Sequence, residues 1–213
     1  MKTVLCYGDS NTYGYNPMNG FRYPENIRWT GRLQSLLGSD YKVIEEGCNG
    51  RTTVFDDPLD PWKNGLPYLR PCLNTHKPID IIILMLGSND LKKSFSASAE
   101  EIAEGAGRLV DLIKEFTLKK QGFQPSIILV SPSEVTEEIG NSPFFGEFDF
   151  DAVERSKTFG KYYKRIADEK GCDFLNAAEI VRPSLIDALH WTEEGHAKFA
   201  EKVREKIVNY EHN

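Results

Sequence analysis

The chain has 213 residues, of which 40% are hydrophobic and 27% charged, and a formal net charge of -6 at pH 7. That length suits one domain, residues 1–213, with a sizeable buried core, and the balance excludes disordered and fibrous classes. An acidic chain without a basic run lacks the footprint that nucleic acid demands, and no segment reaches the roughly 18–20 apolar residues that cross a bilayer.

The opening MKTVLCYGDS carries one lysine and an apolar stretch too short for a signal-peptide core; it reads as folded protein, and a cytoplasmic location is expected. TVLCY at 3–7 reads as a strand that stops at Gly8-Asp9-Ser10, residues that any turn favours. A helical pattern covers 28–37, and YKVIEE at 41–46 is a second strand followed by GCNGRTT. Residues 54–67, VFDDPLDPWKNGLP, form an irregular stretch carrying Trp62. IDIIILML at 79–86 is the most apolar strand and runs into GSND. Over 98–120, Ile102, Ala106, Leu109, Val110, Ile113 and Phe116 recur at spacings of three and four, one apolar helical face. SIILVS at 126–131 leads into a second irregular stretch, 132–150, crowded with Phe144, Phe145, Phe148 and Phe150. Local packing, a lid over a binding site and an oligomer contact are its three readings. A helical pattern around 151–170, the run DFLNA at 173–177, and a helix over 193–208 with Phe199, Val203 and Ile207 facing inward complete the order.

Strands that are nearly continuous apolar runs, alternating with helices, predict a parallel sheet covered on both faces, an α/β three-layer sandwich. Ligands of such sheets bind at the carboxyl ends of the strands, which directs attention to GDSNTYG, GCNGRTT, GSND and SPSEV. The four cysteines, Cys6, Cys48, Cys72 and Cys172, form no Cys-x-x-Cys pair, which argues against zinc and against a disulfide framework; free thiols are expected.

A serine hydroxyl at a strand end becomes a nucleophile when an imidazole takes its proton and a carboxylate fixes the imidazole's tautomer. Ser10 occupies such an end, and DALHWTEEGH places Asp187 and His190 three residues apart just before the last helix. The oxyanion of acyl transfer also needs donors, which a backbone N–H at Gly50 and the side-chain amide of Asn89 can supply. Alone, each element has an ordinary reading: Gly-Asp-Ser as a turn, Gly-Ser-Asn-Asp as a helix cap, His190 as a packing histidine.

The ordered set Gly8-Asp9-Ser10, Gly50, Gly87-Ser88-Asn89-Asp90 and Asp187-Ala188-Leu189-His190 resembles the four sequence blocks of the SGNH (GDSL-type) hydrolase superfamily. EEGCNGRTT, DDPLDPWKNG and MLGSND are most similar to its bacterial arylesterase and acyltransferase group, which acts on small esters. The resemblance implies a flavodoxin-like sheet of five parallel strands, no cofactor, and a covalent acyl-enzyme; no metal is expected, on the cysteine and histidine patterns. It assigns Ser10 as nucleophile and oxyanion donor, Gly50 and Asn89 as the other donors, His190 as base and then acid, and Asp187 as its orienting partner. Gly50 is preferred over Gly47 because Arg51 and Thr52 follow it. Many members carry Leu after the serine where this chain has Asn11. Asn11, Arg51, Trp62 and Phe144 are candidate substrate contacts, and a homo-oligomer is an expectation. Asp9 and Asp90 read as loop supports, and His196 as solvated or structural.

A metal-dependent phosphoesterase is the rival enzyme, since strand-end Asp, Asn and His also bind hard metals, but His76, His190, His196 and His212 form no His-x-His or Asp-x-His pair. A carbohydrate O-deacetylase on the same triad, or a non-catalytic module that binds esters or carbohydrate, are the other readings.

Overall fold

The computed structural model describes residues 1–209, which leaves His212 outside the described residues. Five strands, β1 (Lys2–Gly8), β2 (Tyr41–Gly47), β3 (Ile81–Met85), β4 (Ser126–Ser131) and β5 (Asp173–Asn176), form one sheet in the order β2-β1-β3-β4-β5. Every pairing is parallel. The α/β sandwich, its five parallel strands and the flavodoxin-like order are thus those expected.

Because side chains alternate across a strand, each strand feeds two cores. Leu5, Tyr7, Ile82, Leu84, Ile127 and Leu129 join one cluster, and Val4, Cys6, Ile81, Ile83, Ile128 and Val130 join the other. The first is covered by α3 (Gly65–His76), α4 (Ala99–Gln121) and α6 (Phe159–Lys170), the second by α2 (Trp29–Leu37) and α7 (Glu193–Asn209). The α4 face is as its period predicts, with Ile102, Ala106, Leu109, Val110 and Ile113 buried. Ser98 and Glu101 close its start with a reciprocal capping box.

Two elements differ from the sequence reading. Helix α3 lies in a segment with no helical signal, because Pro67 and Pro71 mask its propensity. Asn64 starts it, accepting from Leu66 N–H at 2.9 Å, and burial of Leu69, Cys72 and Leu73 holds it. The 151–170 pattern is two helices, α5 (Phe150–Ser156) and α6, since Ser156 Oγ donates to Val153 O (2.7 Å) and accepts from Val135 N–H (3.0 Å), local bonds that compete with the helical ladder. Among the described residues, no helix is long and apolar enough to cross a membrane.

The chain leaves β1 for β2 on one side and later returns to β3 on the other. That reversal of strand order beside β1 opens a crevice at the carboxyl ends, where the loops after β1, β2 and β3 meet.

Candidate active site

Ser10 is the first residue of a single-turn helix, α1 (Ser10–Tyr13), directly beyond β1. Asp9 caps this turn: its Oδ1 accepts from Asn11 N–H at 3.0 Å and its carbonyl from Thr12 and Tyr13. The cap leaves Ser10 Oγ facing His190 Nε2 at 2.8 Å. His190 Nδ1 lies 2.7 Å from Asp187 Oδ2, and Asp187 Oδ1 accepts from the N–H groups of Leu189 (3.1 Å) and His190 (3.0 Å). One carboxylate thus both shapes the Asp-x-x-His turn and holds the ring, with Ala188 between them in the left-handed region at φ 63°. A carboxylate on Nδ1 fixes the proton there and leaves Nε2 to accept from the serine.

Asn11, the departure from the Leu common in the resembling group, has a definite task. Its Nδ2 donates to Leu189 O (3.2 Å) and its Oδ1 accepts from Trp191 N–H (3.1 Å), so it grips the backbone on both sides of His190. Replacement of Asn11 by Ala should lower kcat about 10²-fold, the scale of a displacement near 1 Å at a reacting group, with far-ultraviolet circular dichroism unchanged. Steady-state kinetics on a small ester checks this.

The loops carrying Gly50 and Asn89 are tied together. Asn89 Nδ2 donates to Arg51 O at 3.0 Å, which occupies one of the amide's two N–H groups. Asp90 accepts from Thr53 N–H at 3.0 and 3.1 Å and from the Thr53 hydroxyl. Gly50 takes φ 78°, a conformation that glycine adopts without strain, and lines the crevice. Gly47 does not: a Cβ there would sit 2.1 Å from Tyr13 N, so its lack of a side chain lets β2 back against α1. Burial pushes the Asp9 carboxyl up to about 6 and that of Asp90 up to about 7.

The crevice has a volume of about 410 Å³ and is lined by Ser10, Asn11, Gly50, Trp62, Asn89, Phe144 and His190 among the residues singled out from sequence. Arg51 is a correction. Its guanidinium is turned into the sheet end, donating to the carbonyls of Gly8 and Glu46 and lying 4.3 Å from the Tyr7 ring centroid, where it cannot reach a substrate in the crevice. A single guanidinium nitrogen, Nη1, serves both carbonyls.

Sequence reasoning missed Tyr15, Lys63, Lys92 and Glu147, which also line the crevice. Tyr15 packs on His190 with ring centroids 4.2 Å apart, and Phe144 meets the same ring edge-on at 5.6 Å. Within the 132–150 stretch, Phe144 meets the His190 ring and lines the crevice. Ser142 links it to the Asp187 backbone, donating from Oγ to Asp187 O (2.8 Å) while accepting from Phe144 N–H (3.1 Å). Lys92 pairs with Glu147 (2.9 Å) and Lys63 with Asp60 (2.7 Å), a charged rim drawn from the irregular stretches and the loop after GSND. No period marks such residues.

His196 is fully buried rather than solvated. Its Nδ1 accepts from Trp29 N–H at 3.3 Å, and Tyr23 and Trp191 enclose the ring. Burial pushes it down to about 3. An unfolded histidine titrates near 6.5, so below that pH the unfolded chain binds the extra proton and stability falls until about 3. The raised carboxyls of Asp9 and Asp90 act in the opposite sense, gaining stability as pH falls through about 7 and 6, so the comparison belongs within a variant pair. His196→Gln should lose less melting temperature than the parent between pH 6.5 and 4, as read by calorimetry.

A buried serine, imidazole and carboxylate in line at the switch point of a parallel sheet define the class of serine hydrolases. A sequence profile described as the GDSL-like lipase/acylhydrolase family matches residues 6–198. Among solved structures, the native aryl esterase of M. smegmatis is 33% identical, with a TM-score of 0.92 over 98% of this chain and 99% of that one. Est24, a carbohydrate acetylesterase from Sinorhizobium meliloti, is 33% identical at a TM-score of 0.90, covering 99% of this chain and 100% of its own. A carbohydrate acetylesterase family member from the same organism is 38% identical, with a TM-score of 0.91 and 97% of both chains covered. The comparison with curated proteins gave no match. The chain belongs to the GDSL-like lipase/acylhydrolase family and is a serine ester hydrolase.

Proposed function

We propose that the protein hydrolyses small carboxylic esters, short acyl or aryl and acetyl esters, by a ping-pong mechanism centred on Ser10. The observation that carries this reading is the unbroken chain from Ser10 Oγ through His190 to Asp187, at 2.8 and 2.7 Å, opening on the crevice. Ser10 attacks the ester carbonyl while His190 Nε2 takes its proton, and the oxyanion is met by the N–H groups of Ser10 and Gly50 and the Asn89 amide. His190 then protonates the leaving alcohol. Water, or a second alcohol when acyl transfer competes, releases the acyl group by the reverse proton path.

A second reading, removal of acetyl groups from carbohydrate on the same triad, is favoured by the rim of Lys63, Lys92 and Glu147, whose polar heads suit a polyhydroxylated leaving group. The test is a panel of p-nitrophenyl esters of increasing acyl length alongside acetylated sugars, with and without excess chelator, plus labelling by an organophosphorus reagent located by peptide mass spectrometry. Activity retained in chelator, a preference for short acyl groups and a label on Ser10 are expected. Activity abolished by chelator, or a label elsewhere, overturns the serine mechanism; the sugar acetates decide between the two substrate classes.

A further inference from the structure

On the face of the sheet that α3 covers, three side chains that the proposed reaction does not use converge. Glu46 is the penultimate residue of β2, and Cys72 and His76 are four apart on α3, hence on one helical face. A carboxylate oxygen of Glu46, the Cys72 Sγ and a ring nitrogen of His76 all lie within 4.8 Å of one another. His76 Nε2 is 2.7 Å from Glu46 Oε1. Tyr68, one turn before Cys72, donates its hydroxyl to Glu46 Oε2 at 3.1 Å and orients the carboxylate. Cys72 is buried, whereas the Glu46 and His76 side chains are 17% and 24% exposed, so an ion has a route in.

We propose that Glu46, Cys72 and His76 form a zinc(II) site that joins the edge strand β2 to α3. One thiolate, one imidazole and one carboxylate are the donor types that a borderline-soft d¹⁰ ion takes, and the two anionic ligands balance its charge. On binding, the Cys72 S–H bond breaks, its proton passes to solvent and a Zn–S bond forms; Glu46 and neutral His76 contribute lone pairs, and water takes the fourth position. Nothing is oxidised or reduced, and affinity rises with pH because a proton is released. Tetrahedral ligation at about 2.0–2.3 Å asks for ligand separations of about 3.3–3.8 Å. The Glu46–His76 contact must therefore open, and the widest separation close, by about an ångström, within reach of side-chain rotation with the backbone fixed. The Arg51 guanidinium, 5.3 Å from the Tyr68 ring centroid, opposes a cation here and limits its affinity. Cysteine spacing alone could not reveal the group, since its third ligand comes from another element.

Cobalt(II) titration of the full, metal-stripped protein tests the site, cobalt standing in for zinc. The expected result is a thiolate-to-cobalt charge-transfer band saturating at one equivalent, bleached by zinc, lost in Cys72→Ser and retained in Cys48→Ser. His76→Ala and Glu46→Gln, whose side chains reach solvent, should weaken cobalt binding by more than the about 10–100-fold typical of an outer-shell partner, and they carry the test if Cys72→Ser does not fold. No band in the parent, a band that persists in Cys72→Ser, or unchanged affinity in His76→Ala and Glu46→Gln overturns the proposal. Binding is read without catalysis, so either outcome is independent of the esterase mechanism.

Discussion

Ser10→Ala should lower kcat/KM for a short p-nitrophenyl ester by about 10⁵–10⁶-fold while the protein remains folded. The magnitude follows from serine hydrolases in general, where loss of the nucleophile leaves only the contribution of binding and of the oxyanion donors. Retention of the fold follows from the local bonding. The α1 turn is held by the Asp9 carboxylate and by backbone bonds from Gly14 and Tyr15 to the Ser10 carbonyl, none of which uses Oγ. The alanine variant should melt with the parent, bind the organophosphorus reagent not at all, and show no burst of released nitrophenol. Turnover at the parental rate would place the nucleophile elsewhere.

Asp187→Asn should lower kcat about 10⁴-fold with KM little changed, because the carboxylate performs two tasks that one carboxamide cannot share. If the amide oxygen stays with the Leu189 and His190 N–H groups, the NH₂ faces Nδ1 and forces the ring proton onto Nε2, where it confronts Ser10 and cannot accept. If the amide flips, the oxygen serves the ring but the turn loses both acceptor bonds. Steady-state kinetics reads the loss, and a variant within about tenfold of the parent would assign the orienting role to another acid, Asp9 being the buried carboxyl next to Ser10.

What was legible in the sequence was whatever repeats or stands at a strand end. The apolar runs announced all five strands, and the 3.6-residue period of 98–120 announced α4 together with its buried face. Ser10, Asp187 and His190 could be singled out because each sits where a regular element hands over to a loop, and the fold brings them within hydrogen-bonding distance. Helix α3 was hidden by its own prolines, and the boundary between α5 and α6 by a serine whose competing partner, Val135, is distant in sequence. Arg51 was misread for a related reason. Its position beside a glycine read as an oxyanion donor suggested substrate, whereas the carbonyls of Gly8 and Glu46 that claim its guanidinium become visible only when β1 and β2 lie side by side. The charged rim of Lys63, Lys92 and Glu147 had no signal at all, since surface cations beside acids are what any loop displays.

The grip of Asn11 on the chain either side of His190 spans 178 and 180 positions. Ser10 is synthesised well before His190, so a nascent chain that stops short of His190 exposes the hydroxyl with no imidazole beside it. Loop closure over such a separation comes late in folding. The site is therefore chemically silent until the segment carrying His190 docks, and the first molecule of ester cleaved reports that this docking is complete.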